Sequence, residues 1–433
     1  MAPSFETNLP PPGTEPVKAP PSRHKIAYIM SRFPHLPETF ILGEMIELER
    51  QGWEIALYPL IVQQQSVIHP EARPWLTRAR AVPFLSTGVL AANGRLLRTD
   101  PGLYFKLWQQ VVKGNLVTPR FLARGLALLP KSIATAEMMQ HEGVEHIHAH
   151  YATFPALAAW IIHQITGISY SVTVHAHDIF VSQAMLAEKL RPAAFVAAIS
   201  RFNRIFLQQN LGGLIAEKTL VIHCGIDPSG YAIQAKPEAE HSTFNLVNIG
   251  SLQPYKGQDV LIKACSLLRQ RGVPFRCQII GGGERARELE TLIQAENLGT
   301  QVQLLGALPQ EEVARRLSCA NGYVQPSIIT PSKKMEGIPV AIMEALACEL
   351  VVIASNISGI PEIIQDGVTG LLSPPGDAQQ LADAIQRAIE HPSDSRRMAA
   401  AGRQLVLDEF CLSKNTARLG GCFSQVIAGG PAF

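Results

Sequence analysis

From Lys25 onward, short apolar runs alternate with longer stretches in which apolar residues recur every three or four positions. The runs Ile26–Met30, Trp53–Tyr58, Val144–Ala149, Ser171–Val174, Phe195–Ile199 and Leu220–Ile222 read as strands. Between the first two, Thr39 is expected to cap a helix that runs through Arg50 and is ended by Gly52. A polar, turn-rich stretch from Asp227 to Ser242 breaks the alternation. It restarts with Phe244–Gly250, Arg276–Gly281, Val302–Leu304, Gly322–Gln325 and Leu350–Ala354. Alternation of this kind predicts an α/β chain with parallel sheets covered by helices on both faces. The restart predicts two Rossmann-like doubly wound domains, residues 25–226 and 244–410, joined by a linker over 227–243. A last helix, Leu412 to Ile427, lies in a C-terminal segment 411–433 expected to cross back to the first domain. Ligands of such sheets sit beyond the carboxyl ends of the strands, here in the cleft between domains.

Composition narrows the function classes. The 433 residues are 47% hydrophobic and 17% charged with a net charge of +2, which suits two ordinary cores and gives no pull toward nucleic acid. Seven scattered cysteines without C-x2-C spacing argue against a disulfide framework or zinc cage and read as reduced, cytoplasmic thiols. Residues 1–24 carry Pro3, Pro10, Pro11, Pro12, Pro16, Pro20 and Pro21 without an apolar core, and are expected to be a disordered lead rather than a secretion signal. The longest apolar stretch, Phe154 to Ile168, is too short to span a bilayer. Between Arg78 and Lys131, Arg95, Arg98, Lys106, Lys113, Arg120 and Arg124 recur among Leu, Phe and Trp108. That face could be simply solvated, or could make peripheral contact with an anionic membrane.

The most informative stretch is MEGIPVAIMEALAC, Met335 to Cys348. A Gly-Ile-Pro turn opens into a helix, so the amides of Gly337, Ile338 and Val340 can face an anion while Pro339 takes the first helical turn. Glu336 before the turn and Glu344 within the helix cannot serve a phosphate but can accept hydrogen bonds from sugar hydroxyls. A nucleotide-sugar has both features. A carboxylate complementing the helix dipole beside an exposed one is the plainer alternative. Gly281, Gly282 and Gly283 end a strand before a helix expected near Glu284, and suit either a structural turn or close approach to the base or ribose. Lys256 could neutralise phosphates, and Ser355 to Glu362 reads as cleft wall. In the first domain, His146, His148 and His150 alternate on one strand ahead of His175, His177 and Asp178. Three imidazoles on one face could converge on a metal or simply line a polar edge.

With these residues placed, the chain resembles the retaining glycosyltransferases of family 4, of the two-domain GT-B fold, and within them the branch that makes exopolysaccharides such as colanic acid. The E-x7-E pair in EGIPVAIMEALA carries the resemblance, supported by FPHLPETFILGEM, HAHYATFPA, TVHAHDIF, VIHCGID and SGIPEIIQDGVTGLL. The resemblance implies that Glu336 contacts donor-sugar hydroxyls and Glu344 the ribose. Lys256 and the Gly337–Val340 amides would hold the diphosphate, His175 would sit beside the anomeric centre, and Leu308 would lie near the base. Ser251, Gly282 and Gly283 fall on the donor side, and Glu38, Thr39, His150 and Asp178 on the acceptor side. It further implies a UDP- or GDP-sugar donor, a saccharide or lipid-linked saccharide acceptor, and no cofactor or metal ion. Two departures stand out. Ser251 occupies the position where the family carries an arginine, and PSKKMEG replaces an acidic segment, making Lys333 and Lys334 candidates for the missing cation. A non-catalytic sugar-nucleotide binder and a histidine-ligated metal hydrolase are the competing readings.

Overall fold

The computed structural model describes residues 24–35, 38–64, 68–116, 118–181, 183–231 and 243–432, with the backbone alone at His177. Residues 1–23 of the expected lead and 232–242 of the expected linker lie outside them.

Two six-stranded sheets, parallel throughout, carry the molecule. The first contains β1 (Lys25–Met30), β2 (Glu54–Pro59), β3 (His146–His150), β4 (Ser169–Val174), β5 (Phe195–Ala198) and β6 (Thr219–Val221), in the order β2-β1-β3-β4-β5-β6. The second contains β7 (Phe244–Ile249), β8 (Phe275–Ile280), β9 (Val302–Gly306), β10 (Gly322–Gln325), β11 (Val351–Ser355) and β12 (Leu371–Ser373), in the order β12-β11-β10-β7-β8-β9. Parallel strands are buried on both faces, which is why most of these segments are continuous apolar runs. β12 was not expected: three residues at a sheet edge carry no period, and only pairing with β11 defines it.

Strand order reverses between β1 and β3 in one sheet and between β7 and β10 in the other. At such switch points the loops leave in opposite directions and open a crevice at the carboxyl edge.

β3 shows how an apparently polar sequence, HIHAH, becomes a buried strand. Ile147 and Ala149 belong to the apolar core that also holds Leu157 and Ile161 of the helix Phe154–Thr166. On the alternate positions His146, His148 and His150 pair in register with Ser169, Ser171 and Thr173 of β4, and the rings of His146 and His148 meet hydroxyls across the sheet.

Three local readings are corrected. Thr39 is the first residue of the helix Thr39–Arg50 rather than its cap: Glu38 holds the cap position without a side-chain bond, its amide already bonded to the His35 carbonyl at 2.9 Å. Pro339 is the cap of the helix Val340–Ala347 and not part of its first turn, with an extended ψ of 129° and its carbonyl bonded to the Ile342 amide. The helix after the glycine run begins at Ala286, because the Gly283 carbonyl closes a turn with the Ala286 amide first.

The helix Leu412–Ile427 packs on the first sheet. Phe423 meets the Trp53 ring edge-on at 5.7 Å, and a Cβ at Gly420 would lie 2.9 Å from the indole nitrogen. Leu419, Cys422 and Phe423 share a core with Ile26, Tyr28 and Leu57. No described helix is long and apolar enough to cross a membrane.

Candidate functional site

The second sheet contributes one half of the cleft. Loops leaving β7 and β10 at the switch point touch: a Cβ at Gly257, whose φ is +68°, would lie 1.9 Å from the Pro326 carbonyl oxygen. That contact brings the Lys256 ammonium, which passes over Gly250, into an ion pair with the Glu336 carboxylate. Both side chains are largely buried. Burial pulls the Lys256 ammonium down, but the charge of Glu336, with Tyr255, outweighs it and holds lysine above its ordinary value. Lys334 lies close by, with Nζ donating to Gln253 Oε1 at 2.7 Å and standing 4.5 Å from the centre of the Tyr255 ring. The Lys256 ammonium stands 5.6 Å from the same ring. Ser251 is half-buried at the start of this loop, its carbonyl accepting from Gln258. Lys333 is exposed at the turn itself.

Behind the pair, among the described residues, the amides of Gly337, Ile338 and Val340 take no backbone partner. Glu344, one turn into the helix, accepts a hydrogen bond from the Tyr231 hydroxyl at 2.7 Å. Burial pushes the Glu344 carboxyl up, with the Tyr231 bond pulling the other way. The glycine run proves to be a packing feature in part. A Cβ at Gly281 would lie 1.9 Å from the Gly250 carbonyl oxygen, and one at Gly283 2.6 Å from that of Leu252. Gly282 is exposed, and Leu308 is half-buried against the neighbouring core.

The first sheet supplies the other half. His175 follows β4 between two rings, Tyr151 at 4.4 Å and Phe40 at 5.2 Å. Tyr151 holds a φ of +78°, a left-handed conformation that a bulky residue adopts only when its surroundings impose it. Beneath His175 lies His150, with Nδ1 at 3.4 Å from His175 Nε2 and Nε2 at 2.9 Å from Glu44 Oε1. His150, expected on the acceptor side, is therefore a buried support bonded to Glu44 and His175. Asp178 is likewise fully buried, and it accepts from the backbone amides of Ala152 and His175, tying together the loops after β3 and β4. Glu38 is placed differently. It borders, with His35, Thr39 and His69, a small open pocket, and its Oε2 has no hydrogen-bond partner among the described residues. Burial pushes its carboxyl up to about 7, against the pull of His150, Tyr151 and Arg32. Thr39 is exposed on the same rim.

The histidines form a hydroxyl-bonded ladder. His146 bonds Ser169 and Ser171, and His148 bonds Ser171 and Thr173, all at 2.8–2.9 Å. Burial pushes the His146 imidazole down to about 3 and the His148 imidazole well below its ordinary value, so both rings are neutral. The ligand atoms of Glu44, His148 and His150 lie within 4.8 Å of one another, yet both nitrogens of each ring already have a partner.

The two halves meet. A Cβ at Gly337 would lie 2.9 Å from Ile199 Cδ1 and 3.6 Å from Ala176 Cβ, and one at Gly359 3.0 Å from Ser200 Cβ, so the glutamate turn and the loop at Gly359 rest on the loops after β4 and β5. Glu362 accepts from the Arg201 and Phe202 amides at 2.8 and 2.9 Å, capping the helix Arg201–Leu211 of the other lobe, and faces His223 at 3.2 Å. Glu44, Tyr231 and this bond of Glu362 were missed in the sequence. Glu44 carried one signal, a carboxylate among the buried positions Ile41, Leu42, Met45 and Leu48.

Both lobes match known proteins. A profile described as Glycosyltransferase Family 4 matches residues 38–229, and one described as Glycosyl transferases group 1 matches residues 232–405. The amylovoran biosynthesis glycosyltransferase AmsK of Erwinia amylovora is 39% identical over 46% of this chain; the match spans about half of that relative, 48% of its length. The putative colanic acid biosynthesis glycosyltransferase WcaL of Salmonella typhimurium is 27% identical over 89% of this chain and 96% of its own length. Among solved structures, sucrose-phosphate synthase from Thermosynechococcus elongatus superposes with a TM-score of 0.69 at 21% identity, covering 94% of this chain and 100% of the other. Anabaena HepE in complex with UDP superposes with a TM-score of 0.69 at 17% identity, covering 93% and 99%. With both lobes matched in tandem and the fold shared, the chain belongs to glycosyltransferase family 4 and has the GT-B architecture.

Proposed function

We propose that this chain moves a hexosyl group from a UDP- or GDP-sugar onto a hydroxyl of a saccharide or lipid-linked saccharide in cell-surface polysaccharide synthesis, with retention of anomeric configuration. The observation that carries the reading is the Lys256–Glu336 ion pair beside the amides of Gly337, Ile338 and Val340, which take no backbone partner among the described residues. A nucleotide-sugar re-pairs both charges, its diphosphate meeting Lys256 and the helix start while its hydroxyls donate to Glu336. Glu344 takes the ribose hydroxyls, with Leu308, Gly282 and Gly283 toward the base. His175 stands at the anomeric centre, and Glu38 and Thr39 face the acceptor in their pocket. The names of AmsK and WcaL support the polysaccharide setting, and the HepE complex supports a nucleoside diphosphate.

In the transfer, the bond from the anomeric carbon to the diphosphate oxygen breaks with its electron pair leaving on the diphosphate. The acceptor oxygen bonds that carbon on the same face, and its proton passes to the departing phosphate oxygen. Lys256 and the helix amides stabilise the developing anion, so the step draws on no divalent metal. Contact between the lobes excludes water that would otherwise capture the oxocarbenium-like centre.

Helices Thr87–Thr99 and Pro101–Asn115 expose Leu90, Leu97 and Phe105 beside exposed Arg98, Lys106 and Lys113. This face supports peripheral contact with an anionic inner membrane surface, where a lipid-linked acceptor would be met.

The test is transfer itself. Purified protein is incubated with UDP- and GDP-hexoses and lipid-linked saccharides, and the product linkage is read by NMR. An α-donor giving an α-linked product supports the reading; an inverted linkage, or no transfer with any pair, opposes it.

A further inference from the structure

Glu44 and His150, packed beneath His175, have a relation to it that the transfer chemistry leaves unused. Glu44 Oε1 receives the Tyr28 hydroxyl at 2.7 Å and stands 2.9 Å from His150 Nε2. His150 is 1% exposed, and its other nitrogen faces His175 Nε2 at 3.4 Å. With Glu44 Oε1 as the acceptor, His150 donates from Nε2, and in the neutral ring Nδ1 then carries the lone pair. That lone pair in turn requires the proton of His175 to be on Nε2. We propose that Glu44 and His150 are positioning residues that fix His175 as its Nε2–H tautomer, leaving Nδ1 as the hydrogen-bond acceptor of that ring.

The contact at 3.4 Å is long for a hydrogen bond, and the rings around it keep it in place. Tyr151 and Phe40 flank His175, and Tyr28 lies 5.5 Å from His150. His175 is further anchored through its backbone, whose amide is held by Asp178 and whose carbonyl is held by Asn203. A cation in this cluster is the rival occupant. It would have to strip His148 of Ser171 or Thr173 and His150 of Glu44 or His175. The catalytic consequence rests on the reading that His175 faces the reacting sugar: a ring fixed in this form accepts a sugar hydroxyl proton, whereas the other tautomer would offer its own.

The test is nitrogen-15 NMR of the full chain labelled in histidine, with the His175 signals assigned from His175→Gln. The wild type should show a single His175 form with its proton on Nε2. In Glu44→Met, or in Glu44→Gln should the first not fold, that form should give way to a mixture. The kcat for transfer should fall by about tenfold or more, while KM for the donor stays within about threefold. A wild-type His175 protonated on Nδ1, a tautomer indifferent to Glu44, a changed tautomer with unchanged kcat, or stoichiometric zinc in the purified protein would each overturn the proposal. The tautomer is read without any donor, so absence of transfer activity would count against the enzymatic reading alone.

Discussion

Lys256 and Glu336 pair across the point where the second sheet reverses its strand order, one in the loop after β7 and the other in the loop after β10. Each charge is the other's partner, and in the proposed reading a nucleotide-sugar would replace both halves of the bond at once.

Removing one member should therefore do two things. In Lys256→Met the Glu336 carboxylate is left largely buried and unpaired, so the second lobe should lose roughly 3 kcal/mol of stability. Transfer should fall at least about a hundredfold, because the diphosphate loses its cation and meets a bare carboxylate. Adding Glu336→Gln should restore much of the stability and none of the activity. Urea denaturation and initial rates on the three variants check this; equal stability in all of them would contradict it.

In the proposed reading Ser251 leaves the diphosphate one cation short of the family pattern, and Lys334, held by Gln253 over Tyr255, is the candidate to replace it. Lys334→Ala should lower kcat by about tenfold or more, and Ser251→Arg introduced into that variant should recover most of it. A Lys334→Ala protein with full activity would remove Lys334 from the account. A chain inert both as wild type and as Ser251→Arg would favour the non-catalytic binder.

Glu38 sets a pH dependence of stability. Burial raises its folded-state pKa to about 7 from an ordinary 4.5, so the folded chain retains a proton that the unfolded chain gives up. Its stabilising contribution is complete below pH 4.5 and is lost as pH rises from there to about 7. Glu38→Gln cannot ionise, and relative to it the wild type should lose about 3 kcal/mol across that window. Thermal or urea melts of both proteins at several pH values measure the difference. A constant difference between them would place the Glu38 pKa near its ordinary value.

Glu362 joins the lobes by accepting from the first amides of the helix Arg201–Leu211. Glu362→Ala should speed hydrogen exchange at the Arg201 and Phe202 amides by about tenfold, the equivalent of losing a cap worth about 1.4 kcal/mol. Unchanged exchange at both amides would show that the cap contributes nothing.

Strand pattern made much of the fold legible in the sequence, because parallel strands buried on both faces leave uninterrupted apolar runs such as Ile26–Met30 and Leu350–Ala354. β12 left no such trace, being three residues long, and the caps at Glu38 and Pro339 depend on chain direction more than on residue type. At the site, Lys256, Glu336 and Glu344 could be singled out because a glycine-proline turn before a helix has a chemical use. Their partners could not. Tyr231 meets Glu344, and Glu44 meets His150, through contacts distant in sequence that only the packed lobes create. His150 and Asp178 were placed on the acceptor side through the family resemblance, which carries motif positions but not the packing around them. Inside the lobe, Glu44 and His175 satisfy His150, and the amides of Ala152 and His175 satisfy Asp178.

The central claim is that the cleft holds a nucleoside diphosphate sugar by way of Glu344 and Lys256. Thermal melts of the wild type and of Glu344→Ala with UDP, GDP and their hexose conjugates test it most directly. One nucleotide series, at about a hundred times its Kd, should stabilise the wild type by about 2.7 kcal/mol and the variant far less. Equal shifts in both proteins, or none with any nucleotide, would contradict it.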